Sequence, residues 1–128
     1  MMRRKPIPKK IREEVYNKCN GHCGYCGCEL DIKDMQVDHI ESVYLAELKG
    51  KEVNDNKDNY MPSCRMCNYY KSTSTIEQFR EKLTTMLMRN VRLPFDYRLA
   101  LKYGLVKEDV KPVEFYFEKE EHYKKMIL

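Results

Sequence analysis

Two short stretches, "CGYC" at 23–26 and "CRMC" at 64–67, constrain this chain more than anything else in it. A two-residue spacer lets both sulfurs of a C-x-x-C pair face inward, so each pair can grip a tetrahedral ion from one side. Gly24 and Gly27 permit the tight backbone that turns amide N–H groups toward the sulfurs. Two pairs in one small chain predict a single zinc ion on Cys23, Cys26, Cys64 and Cys67. Four thiolates leave no open coordination position, so the role assigned is structural. Such an ion contributes on the order of 10–16 kcal/mol to folding, comparable with the whole stability of a small domain. Redox dithiols or scattered core cysteines are the competing reading.

The wider composition fits that scaffold. With 42% apolar and 34% charged residues, the 128-residue chain reads as one soluble domain. It has no apolar run near the roughly 20 residues of a membrane span. The basic start is followed by no apolar stretch of secretory type. A cytoplasmic, thiol-reducing location is therefore expected, and it favours metal over disulfides for the six cysteines. The net charge is +4, concentrated in an arm bearing Arg3, Arg4, Lys5, Lys9, Lys10 and Arg12. Such an arm suits a polyanion, or is simply a solvated terminus. Cys19 is expected to pack as a small apolar residue, whereas Cys28 could compete with Cys26 for the ion. His22 reads as a surface residue, and His122 as unrelated to any site.

Periodicity supplies the elements. Pro8 followed by Ile11, Val15 and Cys19 predicts a helix stopped at Gly21. "MQVDHI" and "NYMPSC" predict two short strands, joined by a long polar connection with one helical turn at "YLAELK". "RMCNYYKS" turns helical. Ser74 and Glu77 have capping-box spacing before an apolar face of Ile76, Phe79, Leu83, Met86 and Leu87, ending ahead of Pro94. A short helix is expected from about Asp96 to Tyr103, and alternation of Val113, Phe115 and Phe117 predicts a late strand.

The order knuckle, "VDHI", "DNYMPSCRMCNYYKS" resembles the HNH endonuclease family. Its members commonly carry C-x-x-C, then D-H-I, then an asparagine before an apolar residue, then C-x-x-C-[HN]-x-x-K. Here those positions are Cys23, Cys26, Asp38, His39, Ile40, Asn59, Cys64, Cys67, Asn68 and Lys71. The resemblance covers roughly residues 11 to 80. It implies an α+β fold, a small ββα-metal (His-Me finger) core on a zinc-binding double knuckle with flanking helices. The basic arm at 1–10 and an extension at 81–128 complete one domain.

The chemistry agrees with the resemblance. Phosphodiester hydrolysis needs an activated water and a cation near the leaving oxygen. An imidazole is mostly neutral at pH 7 and can accept the water's proton, the part expected of His39. Asp38 and Asn68 offer oxygen ligands suited to magnesium or manganese. By family analogy Asn59 holds the strand pair and orients His39. Lys71, three residues beyond Asn68, shares its helix face and is expected to meet a substrate phosphate. Asn68 stands where many members have histidine, and the proline and paired glycines frequent after D-H-I are replaced by "ESVYLAELKGKEV".

The reading is a metal-dependent DNA endonuclease leaving 5′-phosphate and 3′-hydroxyl ends. The alternatives are a zinc module that binds nucleic acid without cutting it, or an accessory to a larger phage or mobile-element complex. DNA is the expected partner and a membrane is not. The residues select neither a recognition sequence, nor nicking over double-strand cutting, nor a protein partner or dimer.

Overall fold

The computed structural model describes residues 6–52, 55–89 and 93–127, the side chains at 88–89 and 122–127 excepted. Arg3, Arg4 and Lys5 of the basic arm lie outside the described residues. The first helix, α1 (Lys9–Lys18), starts after Pro8 and buries Val15 completely. Cys19 ends it and packs as a small apolar residue in the core. Arg12, counted above with the arm, turns inward instead. Its guanidinium donates to the Ile32 and Met35 carbonyls at 2.6 and 3.1 Å, because that turn leaves acceptors facing the helix.

The strands β1 (Gln36–His39) and β2 (Tyr60–Ser63) form a two-stranded antiparallel sheet. His39 faces Tyr60 and Asp38 faces Met61 across it. Pro62 is tolerated because a strand with one neighbour can leave a ladder donor unused. Between the strands lies α2 (Val43–Leu48), capped by the Ser42 side chain, where one helical turn was expected. After the sheet comes α3 (Arg65–Lys71), whose N-cap is Cys64.

The helix α4 (Ile76–Thr84) does begin with a capping box, one residue later than its predicted position. Thr75 and Gln78 make the reciprocal bonds, at 3.0 and 3.1 Å. Ser74 instead accepts from Lys82, and Glu77 pairs with Arg80. The apolar run continues into α5 (Met86–Arg89) after a break at Thr85, and α6 (Phe95–Lys102) follows Pro94.

The late strand is not formed: α7 (Tyr116–Ile127) starts in the middle of the alternating segment. Among the described residues no strand offers an edge there, and helix N-terminal donors find better partners. Tyr116 and Phe117 amides donate to the Tyr25 and Gly24 carbonyls at 3.0 and 2.8 Å, and Phe115 N–H donates to Glu118 at 2.9 Å. Three donors that a helix leaves open are thus satisfied by the knuckle and by its own third residue. Phe115 is buried against Tyr25 and Phe79, and Arg80 lies over its ring while pairing with Glu118.

One core therefore runs from Cys19, Cys23 and Tyr25 through Met61 to Phe79 and Phe115. A second, smaller cluster of Val15, Met35 and Tyr60 underlies the other side of the sheet. Gly24 sits where the knuckle meets β2. Its N–H donates to the Pro62 carbonyl at 2.8 Å, and a Cβ there would fall 2.3 Å from Met61 Sδ. No described helix is long and apolar enough to cross a membrane.

Candidate active site and metal centre

The knuckle closes on itself through Cys23 N–H to the Cys28 carbonyl and Gly27 N–H to the Cys23 carbonyl. This turn presents Cys23 and Cys26, and the N-terminus of α3 presents Cys64 and Cys67. All four Sγ atoms lie within 4.8 Å of one another, with Cys26 and Cys64 3.9 Å apart. A tetrahedron with zinc–sulfur bonds of about 2.3 Å has edges of about 3.8 Å, so the four sulfurs can hold one zinc ion.

Amide donors already favour sulfur anions here: Cys64 N–H points at Cys23 Sγ (3.3 Å) and Cys67 N–H at Cys64 Sγ (3.4 Å). The Cys67 thiol, with the backbone amides of Cys64, Cys26 and Tyr25, holds Cys23 down to about 4, while Cys67 moves up because it keeps the proton the two share. A cation would take the place of that proton. Cys28 stays outside the cluster. Local desolvation and the neighbouring Cys26 push its thiol up to about 12, and it is its position outside the four-sulfur group that sets it apart as a ligand.

The pleat separates Asp38 from His39. Asp38 points inward and is buried, with the Tyr25 hydroxyl (2.5 Å) and the Lys71 ammonium (3.0 Å) both on Oδ2. Tyr25 is held as a donor, since burial and the facing carboxylate push its hydroxyl well above the usual range. Because Tyr25 lies between Cys23 and Cys26, this bond ties the sulfur cluster directly to β1. Lys71, expected to meet a phosphate, is 0% exposed and points the other way. It also donates to the His39 carbonyl at 3.1 Å. A lysine near the end of α3 reaches β1 because that helix packs on the strand, so its charge braces the site from within.

His39 faces the opposite side, partly exposed. Its Nε2 lies 2.8 Å from Asp55 Oδ1, and its ring meets the edge of Tyr60 with centroids 5.1 Å apart. Asp55 Oδ1 also accepts from the Tyr60 hydroxyl at 2.7 Å. Desolvation and that bond push the Tyr60 hydroxyl up to about 12.

Asn59 is buried and clamps the loop leaving β1. Its Oδ1 accepts from Glu41 N–H (2.8 Å), its Nδ2 donates to the Glu41 carbonyl (2.9 Å), and its own carbonyl accepts from Ile40 N–H. Asn68, half-buried on α3, makes no side-chain hydrogen bond among the described residues.

Tyr25, Asp55 and Tyr60 were not singled out in the sequence. Tyr25 was legible only as knuckle filler, and Asp55 is one acid among several polar residues of "VNDNKDN". Of the remaining histidines, His22 stacks on Tyr116, away from this arrangement. The side chain of His122 lies outside the described residues.

A two-stranded antiparallel sheet followed by a helix, bound to a four-cysteine cluster, defines an α+β fold of the ββα-metal class. Residues 23–74 match the model of the HNH endonuclease family. In fold the chain is similar to the Type II-C Cas9 enzyme from Actinomyces naeslundii, with a TM-score of 0.50 and 22% identity. That match covers 62% of this chain and 8% of the Cas9 chain, so it spans a small part of that enzyme's length. No curated protein matches the chain.

Proposed function

We propose that this chain is a metal-dependent DNA endonuclease and that all 128 residues work as one domain. The observation that supports it most is the end of β1, where His39 stands beside a buried carboxylate braced to the sulfur cluster, within a segment that matches HNH nucleases. His39 is the general base, accepting a proton from the attacking water. Asn59 is a positioning residue: by clamping Glu41 it fixes the turn that carries the imidazole. Lys71 is another, since it holds the Asp38 carboxylate and the His39 carbonyl together.

The donor set suits a hard divalent ion. Asp38 makes both its contacts through Oδ2, and the Asn68 amide, one helical turn before Lys71 on α3, has no protein partner among the described residues. Asp38 and Asn68 would hold magnesium or manganese, with waters as further ligands. A bound ion supplies charge stabilisation at the departing 3′ oxygen. Cys23, Cys26, Cys64 and Cys67 would hold a zinc ion that keeps the knuckle and α3 in register, apart from the chemistry. Six free cysteines, four of them needed as thiolates, fit a reducing cytoplasmic setting.

Incubation of the zinc-loaded protein with supercoiled plasmid and magnesium or manganese tests the reading. Nicking that is lost in His39→Ala is expected. No nicking with either ion, or nicking undiminished in His39→Ala, defeats it. DNA retention without cutting would assign the chain to the zinc-stabilised binding modules instead.

A further inference from the structure

We infer that Asp55 is a positioning residue that orients His39 through Nε2 and so makes Nδ1 the nitrogen that takes the proton. This rests on the nuclease reading for its consequence in catalysis, but the geometry stands apart from it. An ionised carboxylate can only accept hydrogen bonds. With Asp55 Oδ1 2.8 Å from Nε2, the proton of the neutral imidazole must sit on Nε2, and the lone pair left for a water is on Nδ1.

Tyr60 holds both partners of this dyad at once. It faces His39 across the sheet, presents its ring to the imidazole edge-on at an interplanar angle of 84°, and donates its hydroxyl to the same Asp55 oxygen. With that hydroxyl a firm donor, Oδ1 is fixed between a phenol and an imidazole. On the other flank, Asn56 accepts from the Asp58 amide at 3.0 Å, a turn that leads straight into β2 and sets where Asp55 stands. Among the described residues no other hydrogen bond reaches a ring nitrogen of His39.

Asp55 and His39 are separated in sequence by the α2 connection, and the hydrogen bond brings them together beside β2. A carboxylate in this place performs the same function as the acid of a hydrolase triad: it selects the tautomer and ring orientation without itself reacting. Loss of it should leave the imidazole able to rotate and to exchange tautomers.

The test uses the full-length zinc-loaded protein with Asp55→Ala, Asp55→Glu and Tyr60→Phe. Long-range 15N–1H spectra, with the His39 signal assigned by its loss in His39→Ala, report the tautomer directly. The wild type should show protonated Nε2, and Asp55→Ala a mixture of both tautomers. Single-turnover plasmid cleavage should fall at least tenfold in Asp55→Ala with DNA affinity within about twofold. Asp55→Glu should recover part of the rate, and Tyr60→Phe should lie between the two.

A wild-type imidazole protonated on Nδ1, or a tautomer unchanged by Asp55→Ala, overturns the inference. So does a cleavage rate that holds or rises in Asp55→Ala. If the wild type does not cut DNA at all, the nuclease reading fails, while the spectra still decide whether Asp55 sets the tautomer.

Discussion

Lys71→Met separates a bracing lysine from a phosphate-binding one. The Lys71 side chain is fully buried, with its ammonium 3.0 Å from Asp38 Oδ2 and 3.1 Å from the His39 carbonyl. Methionine keeps most of the volume, so the packing change is small and the electrostatic loss dominates. Removing one member of a buried ion pair costs about 3–5 kcal/mol, because the other charge is left uncompensated. Tyr25 still donates to Asp38 in the variant, which places the expected loss near the lower end, at about 3 kcal/mol. For a domain of this size that lowers the melting temperature by roughly 10 °C. Urea unfolding of the zinc-loaded protein, followed by far-ultraviolet circular dichroism, reads the loss directly.

The double variant Asp38→Asn/Lys71→Met removes both charges and should recover about 1–2 kcal/mol of it. A surface lysine serving a phosphate would behave in the opposite way, with stability within about 0.5 kcal/mol of wild type and DNA affinity reduced. A Lys71→Met variant as stable as the wild type would refute the bracing role.

Serine at Cys23, Cys26, Cys64 or Cys67 should abolish stoichiometric zinc by elemental analysis and cooperative melting with it, whereas Cys28→Ser should retain one ion. Gly24→Ala should destabilise by about 1–3 kcal/mol in chemical denaturation, because its methyl group would displace the buried Met61 side chain. Glu118, pulled below the usual carboxylate range chiefly by its Arg80 partner, is lowered in the folded state. Its contribution is therefore present above the unfolded carboxylate value of about 4.3 and is lost as pH falls through the folded value. Melting curves of Glu118→Gln and wild type should accordingly converge as the buffer is taken from pH 6 toward pH 3.

Chain-local features of this protein could be read in advance. The cysteine spacings, the two strands around "VDHI" and "YMPS", and the α3 and α6 helices follow from turn chemistry and periodicity within a few residues of each other. The α4 capping box lies one residue beyond the sequence expectation because Ser74–Glu77 and Thr75–Gln78 both satisfy the same spacing, and in the fold Ser74 and Glu77 are engaged by Lys82 and Arg80 instead. The Val113–Phe117 alternation would suit a strand, but the carbonyls of Gly24 and Tyr25 take the amide donors and start a helix.

The sequence by itself determined the ligand types, the sulfur scaffold and the neighbouring aspartate and histidine, since each is written within a few adjacent residues. Tertiary structure decided which way those side chains face. The pleat of β1 sends Asp38 to a buried Lys71 and His39 to Asp55, both brought in from distant chain segments. Burial converts a surface-type lysine into an internal counter-ion, because a charge removed from water must find its partner inside the protein.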